Sequence, residues 1–205
     1  MIRWGVLVRA IVVAVLAVVI GGLVGLMAWG LTNKVPVTAL SGVTRLQQPA
    51  PPFKLTLLDG GQFERFATST RPMVINFWAS WCAPCRDEAD DLERAWRSFA
   101  DEGVMFVGVD IQDSIESARE HVREFGLTYP NGRDSEGVIT VDYGVIGIPV
   151  TFFVNKFGIV ERRWVGEVDE SLLQEWVGEM VAGVAPSEGR DGQNLESFQR
   201  LFQQR

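Results

Sequence analysis

The sequence predicts an α/β fold: a mixed β-sheet flanked by helices, with an N-terminal β-hairpin and an inserted helix, preceded by one transmembrane helix. Three observations carry that prediction. Between Arg9 and Lys34 there is no charged residue, and about 20 apolar residues span a bilayer core as a helix. Further on, Met73–Trp78 and Val104–Val109 are nearly continuous apolar runs, the composition of strands buried on both faces. Helical periodicities follow each of these runs, and alternating β and α elements imply parallel pairing.

Taken in order, residues 1–9 read as a short cytoplasmic segment and 10–31 as a transmembrane signal anchor. The apolar run exceeds the 7–15 residues of a cleaved signal's hydrophobic region. The nearest small-x-small site, Val37-Thr38-Ala39, lies well past its end. Arg3, Arg9 and the start amine precede the helix, against Lys34 and Arg45 after it. That bias places the bulk of the chain outside the cytoplasm. Residues 32–50, with Pro36 and Pro49 and no helical period, read as a linker.

A folded domain is expected over residues 51–185. Phe53–Leu57 alternates apolar and polar residues, Asp59-Gly60-Gly61 is a turn, and Gln62–Phe66 returns as the second strand of a hairpin. After the buried strand Met73–Trp78, apolar residues recur at Cys85, Ala89, Leu92, Trp96 and Phe99, a helical stripe. Asp90–Arg94 and Glu93–Arg97 are i,i+4 pairs on its polar side. Beyond Val104–Val109, Asp113 with Glu116 has the form of a capping box for a helix ended by Gly126. Thr128-Tyr129-Pro130 leads into a turn, and Ser135–Tyr143 reads as a short helix. Val150–Asn155 and Ile159–Val165 form a second hairpin around Lys156-Phe157-Gly158. Asp169 caps a last helix with the stripe Leu172, Leu173, Trp176, Val177 and Met180. Residues 186–205 are a polar tail.

Composition narrows the chemistry. The 205 residues hold two cysteines, one histidine and a formal charge of −7. Two cysteines cannot staple a disulfide scaffold. With a single histidine they are too few for a closed zinc site without carboxylates, and no metal is expected. The acidic balance disfavours nucleic acid. No Gly-rich nucleotide loop is visible, so neither flavin nor nicotinamide is expected.

Both cysteines lie in Trp81-Cys82-Ala83-Pro84-Cys85, between a buried strand and a helix. Cys82 falls at the helix start, where unpaired N–H groups and the macrodipole favour a thiolate. Its pKa falls and it becomes the nucleophile. Cys85, one turn on, can attack the resulting mixed disulfide. Pro84, which lacks an N–H, suits a first-turn position. The competing readings are weaker: a structural disulfide across so short a loop stabilises little, and half a zinc site lacks its remaining ligands.

The segment Asn76-Phe77-Trp78-Ala79-Ser80-Trp81-Cys82-Ala83-Pro84-Cys85 resembles the active-site segment of thioredoxin-fold proteins. More closely, it resembles the membrane-anchored TlpA/ResA-like (DsbE/CcmG-related) thiol–disulfide oxidoreductases. Asp59-Gly60, Tyr129-Pro130, Tyr143-Gly144-Val145 and Gly147-Ile148-Pro149-Val150-Thr151-Phe152-Phe153 fall in that family's order. The resemblance implies a thioredoxin-like mixed sheet and a redox-active Cys82–Cys85 disulfide as the sole redox group. It also implies a cis-proline at Pro149, with the Ile148 backbone offered to a bound peptide. Glu88 matches an acidic residue of the ResA-like group, a solvated helix carboxylate being the competing reading. Asn76 stands where ordinary thioredoxins have a buried acid, which makes Glu88 the candidate proton handler for Cys85. Trp81 is expected beside Cys82 as an apolar contact for the docking polypeptide, Trp78 in the core, and His121 on the surface of the inserted helix.

The expected activity is that of an extracytoplasmic dithiol reductant in the cytoplasmic membrane. The resemblance implies a disulfide of apocytochrome c as acceptor and a DsbD/CcdA-type membrane protein as electron donor. Another envelope client, such as a copper-site assembly or sporulation protein, fits the same chemistry. A copper-binding chaperone fits less well, because the cysteine spacing is short and His121 is the lone histidine. A thiol peroxidase is disfavoured by Ala79 in place of the threonine its reactive cysteine requires.

Overall fold

The computed structural model describes residues 2–32, 46–67 and 71–184. Residues 33–45 of the predicted linker and the tail 186–205 lie outside the described residues. The chain divides into two compact units, Met1–Ala39 and Leu40–Arg205.

Among the described residues the first unit holds one helix, α1 (Ile2–Thr32), of 31 residues. It starts upstream of the predicted 10–31 and takes in Arg9. At ~1.5 Å per residue it is roughly 45 Å long. Val12, Val13, Val15, Leu16, Val18, Val19, Ile20, Leu23 and Val24 are all at least half exposed, and at helical spacing they occupy every face. Among the described residues no helix is long and apolar enough to cross a membrane, the described side chains of α1 being those of residues 8–9 and 12–25.

The second unit is built on seven strands: β1 (Phe53–Leu57), β2 (Gln62–Arg65), β3 (Met73–Trp78), β4 (Met105–Asp110), β5 (Asn131–Arg133), β6 (Val150–Val154) and β7 (Val160–Val165). They form one mixed sheet in the order β2-β1-β5-β4-β3-β6-β7. β3 and β4 run parallel and both hairpins are antiparallel, as expected, and β5 adds a further parallel strand beside β4. β5 was not anticipated. Asn131-Gly132-Arg133 has no apolar pattern, and its strand geometry comes from bonding to β4 on one side and β1 on the other. β4 lies one residue later than predicted, which draws Asp110 into the sheet opposite Trp78.

Successive residues of β3 serve opposite faces. Val74 packs with Phe106 and Phe153 beneath α3 (Ala89–Phe99) and α6 (Glu170–Ala182). Ile75 and Phe77 pack with Val107, Val109 and Phe152 against Ile139 and Tyr143 of the region around α5 (Val138–Asp142). Asp169 caps α6 by accepting from the Leu172 N–H at 2.8 Å, and the stripe Leu172, Leu173, Trp176, Val177 and Met180 is buried as predicted.

Four local expectations change. The helix after β3 is broken at Glu88 into α2 (Ala83–Asp87) and α3. The inserted helix α4 (Ile115–Glu124) is capped by Ser114, whose Oγ accepts from Ser117 N–H at 3.0 Å, not by Asp113. Arg97 pairs with Glu93, but Arg94 pairs with Asp91 and Glu170, not Asp90. His121 is buried, stacked on Trp78 with ring centroids 4.4 Å apart. Its helix lies on the sheet end, and the ring fills the space over the indole.

Candidate active site

The site is assembled where β3 ends. The chain leaves Trp78, turns through Ala79-Ser80-Trp81 with the Cys82 N–H donating to Ala79 O at 3.1 Å, and enters α2. Cys82 is the N-cap in extended conformation, and Pro84 occupies the first turn. Cys82 Sγ accepts from the Cys85 N–H at 3.3 Å. This is the predicted placement of sulfur against helix N–H donors, which stabilises a thiolate once the bond opens. Cys82 and Cys85 are joined in a disulfide with Cα atoms 5.2 Å apart. Both are nearly buried, at 5% and 2% exposure, whereas Trp81 is 60% exposed. The Trp81 indole N–H donates to Gln112 O at 3.1 Å, so the exposed ring has a fixed edge.

The disulfide packs in a small apolar cluster with Leu58, Trp78, Ala79 and Ala118, bordered by Ile115, Val122 and Ile148. Ala118, Ile115 and Val122 belong to the inserted region, so α4 forms part of the floor of the site. The Ile148–Pro149 peptide bond is cis, and Pro149 is buried. It opens β6, the antiparallel neighbour of β3.

Glu88, at the break between α2 and α3, is fully buried, which excludes the solvated-carboxylate reading. Asn76 Nδ2 donates to its Oε1 at 2.7 Å, and the Val168 N–H donates to its Oε2 at 2.9 Å. The same Asn76 Nδ2 reaches Thr151 Oγ1 at 3.0 Å across the β3–β6 register. One buried network therefore ties the cysteine helix, the central strand and the strand that follows Pro149. Burial raises the Glu88 carboxyl to about 8, against the two hydrogen bonds that favour its charged form.

Sequence reasoning missed Thr151, the Val168 N–H and a second buried acid. Asp110 is fully buried at the end of β4, and neither of its oxygens has a hydrogen-bond partner among the described residues. Burial pushes its carboxyl up to about 8; the charge of Asp113 adds to the shift and Arg133 opposes it. An acid closing an otherwise apolar strand run was the available signal. His121 is held neutral, its imidazole pushed down to about 4 by burial and by the charge of Arg86. Among the described residues no group of three or more His, Cys, Asp or Glu side chains is placed to hold a metal ion.

A nearly buried disulfide at a helix start, preceded by an exposed aromatic ring and followed one turn later by a buried carboxylic acid, suits two-electron exchange with another disulfide rather than a structural cross-link. Comparison with known proteins agrees. The model of the AhpC/TSA family matches residues 46–163. The thiol-disulfide oxidoreductase ResA of Bacillus thuringiensis is 29% identical over 128 residues, covering 62% of this chain and 74% of that protein. The thiol:disulfide interchange protein DsbE of Escherichia coli is 32% identical over 132 residues, covering 62% and 69%. The crystal structure of a thioredoxin-family thiol:disulfide interchange protein from Chlorobium tepidum superposes with a TM-score of 0.60 at 27% identity, covering 65% of this chain and 95% of that one. The chain belongs to the AhpC/TSA family, and it is a thioredoxin-fold thiol–disulfide oxidoreductase of the ResA/DsbE type.

Proposed function

We propose that this chain is a membrane-anchored reductant on the extracytoplasmic side of the cytoplasmic membrane, acting on the disulfide of apocytochrome c. The observation that carries the reading is a nearly buried Cys82–Cys85 pair beside the exposed ring of Trp81. A polypeptide can dock on that ring and bring its disulfide to Cys82, beside Ile148, which borders the apolar cluster of the pair. The anchor rests on the uncharged run of α1, whose described apolar side chains lie exposed on every face.

In the reduced chain Cys82 reacts as the thiolate at the head of α2. It attacks one sulfur of the partner's disulfide, forming a mixed disulfide and releasing the other sulfur as a thiolate that takes up a proton. Cys85 then loses its proton and attacks Cys82 Sγ. The second partner sulfur leaves, and Cys82–Cys85 is restored as the disulfide present in the structure. Two electrons pass from this chain to its client. Glu88, one turn beyond Cys85, is our candidate handler of the Cys85 proton: it accepts that proton in the fraction of molecules whose Glu88 carboxyl, raised to about 8, is ionised. A DsbD/CcdA-type membrane protein would return the electrons by the same exchange in reverse.

Two measurements test this reading. The reduction potential of the pair is expected near thioredoxin's ~−270 mV or lower, and a value near ~−120 mV would mark an oxidant instead. In a strain lacking the chain, haem attachment to c-type cytochromes is expected to fail. Normal haem loading there would move the chemistry to another envelope client.

A further inference from the structure

The loop that leaves β4 is fastened to the loop that carries the cysteines. β3 and β4 are adjacent and parallel, so both loops emerge at the same end of the sheet. Three hydrogen bonds join them. The Ile111 N–H donates to Trp78 O at 3.0 Å, the Ser80 N–H to Asp113 Oδ2 at 2.6 Å, and the Trp81 indole N–H to Gln112 O at 3.1 Å. The other oxygen of Asp113 accepts from the Ser114 N–H at 2.8 Å. Asp113 therefore holds two backbone donors from two different loops on one carboxylate, and bonds of this charge-assisted kind are the strong ones.

Between Ile111 and Asp113, Gln112 has φ of 51°. That is left-handed backbone, which residues bearing a Cβ avoid. Gln112 is exposed and takes part through its backbone carbonyl. In this conformation its carbonyl receives the Trp81 indole. Strained backbone persists where the surroundings over-determine it, and the flanking bonds of Ile111 and Asp113 do so here.

We infer that Asp113 is a positioning residue for the redox reaction, acting through Trp81. Its carboxylate ties Ser80 and Ser114 together, holds Gln112 in the left-handed conformation, and so aims the Gln112 carbonyl at the indole N–H. The outcome is a large apolar ring, 60% exposed, held in one orientation beside Cys82 before any partner arrives. An anchor ordered in advance loses less freedom on association, and exposed tryptophans are the residues on which such contacts most often depend. The occupant is a polypeptide carrying a disulfide. A small disulfide offers the ring far less surface to bury than a polypeptide does, so it gains less from the anchor. The inference needs only the thiol–disulfide exchange activity and does not depend on which client the chain serves.

The experiment compares oxidised insulin, a polypeptide disulfide, with the small aromatic disulfide 5,5′-dithiobis(2-nitrobenzoate), using the full-length protein. Asp113→Ala is expected to raise KM for insulin about five- to tenfold, the size of one lost interface anchor, while reaction with the small disulfide falls by much less. Asp113→Asn, which keeps one acceptor oxygen, is expected to lie between wild type and Asp113→Ala. In a Trp81→Phe background, Asp113→Ala is expected to add less than about twofold, because two residues acting through one contact are not additive. In protein labelled with 5-fluorotryptophan, the resonance lost in Trp81→Phe is expected to shift and broaden in Asp113→Ala, with the other tryptophans in place. Equal losses with and without Trp81, equal losses on both disulfides, or an unmoved Trp81 resonance would each overturn the inference. If Asp113→Ala does not fold, Asp113→Asn carries the same comparison.

Discussion

Glu88 and Asp110 make opposite demands on the solvent from those of ordinary carboxylates. Each has its carboxyl raised to about 8 in the folded chain, from 4.5 and 3.8. The unfolded chain therefore releases these protons first, and stability declines as pH rises from about 4 through 8. For Glu88 the full effect is roughly 3–5 kcal/mol. Glu88→Gln is expected to unfold at higher urea than wild type at pH 9 and to lose that advantage by pH 5. Melting curves that keep the same gap at both pH values would refute the burial of a neutral acid. The same substitution should also flatten the pH dependence of Cys85 alkylation in the reduced protein. His121 has the reverse sign. Its folded pKa of about 4 lies below the ordinary 6.5, so its contribution to stability is present above 6.5 and is lost as pH falls through 4. His121→Phe, which keeps the stack on Trp78, is expected to resist acid unfolding better than wild type near pH 4.

At the scale of the elements, the central sheet depends on one close approach. A Cβ on Gly108 would lie 1.9 Å from Asn131 Oδ1 and 2.7 Å from Trp78 Nε1. Those two atoms form a buried hydrogen bond of 3.1 Å, which ties β3 to β5 across β4. Gly108→Ala is expected to break that bond and lower stability by about 1–3 kcal/mol. An unchanged urea midpoint, with the Trp78 indole N–H resonance in place, would show that the sheet absorbs the methyl group. The same region shows why parts of the fold could not be read from the chain. Long apolar runs announced β3 and β4, and the period of α6 announced every buried residue of its stripe. β5 has three residues and no pattern, because its geometry is dictated by neighbours distant in sequence. The break at Glu88 was hidden for a related reason. The apolar stripe continues through it, while the cause is a buried acid bound to Asn76 and Val168. The cysteine pair was legible because its chemistry is local to a few residues, and the cis bond at Pro149 through the family resemblance. Thr151, Val168 and the fastening of Ser80 to Asp113 were not, since each depends on which strands lie side by side.

For the molecule as a whole, the two compact units suggest a division of labour that can be separated by truncation. Removing residues 1–39 is expected to leave reaction of the pair with a small disulfide within about twofold of the full chain, because the apolar cluster described around the cysteines is built from residues of the second unit. The same truncation is expected to move the protein from the membrane fraction to the soluble fraction of a cell lysate. Retention with membranes after truncation would refute α1 as the anchor.

The buried acids also alter a quantity that a count of side chains appears to settle. The formal charge of −7 assigns a full negative charge to every aspartate and glutamate. With Glu88 and Asp110 retaining their protons at pH 7, the folded chain carries a charge closer to −5. Its electrophoretic mobility at neutral pH should then fall short of the composition's value and recover near pH 9. Folding at pH 7 draws about two protons from the buffer, so its measured heat should vary with the ionisation enthalpy of the buffer chosen.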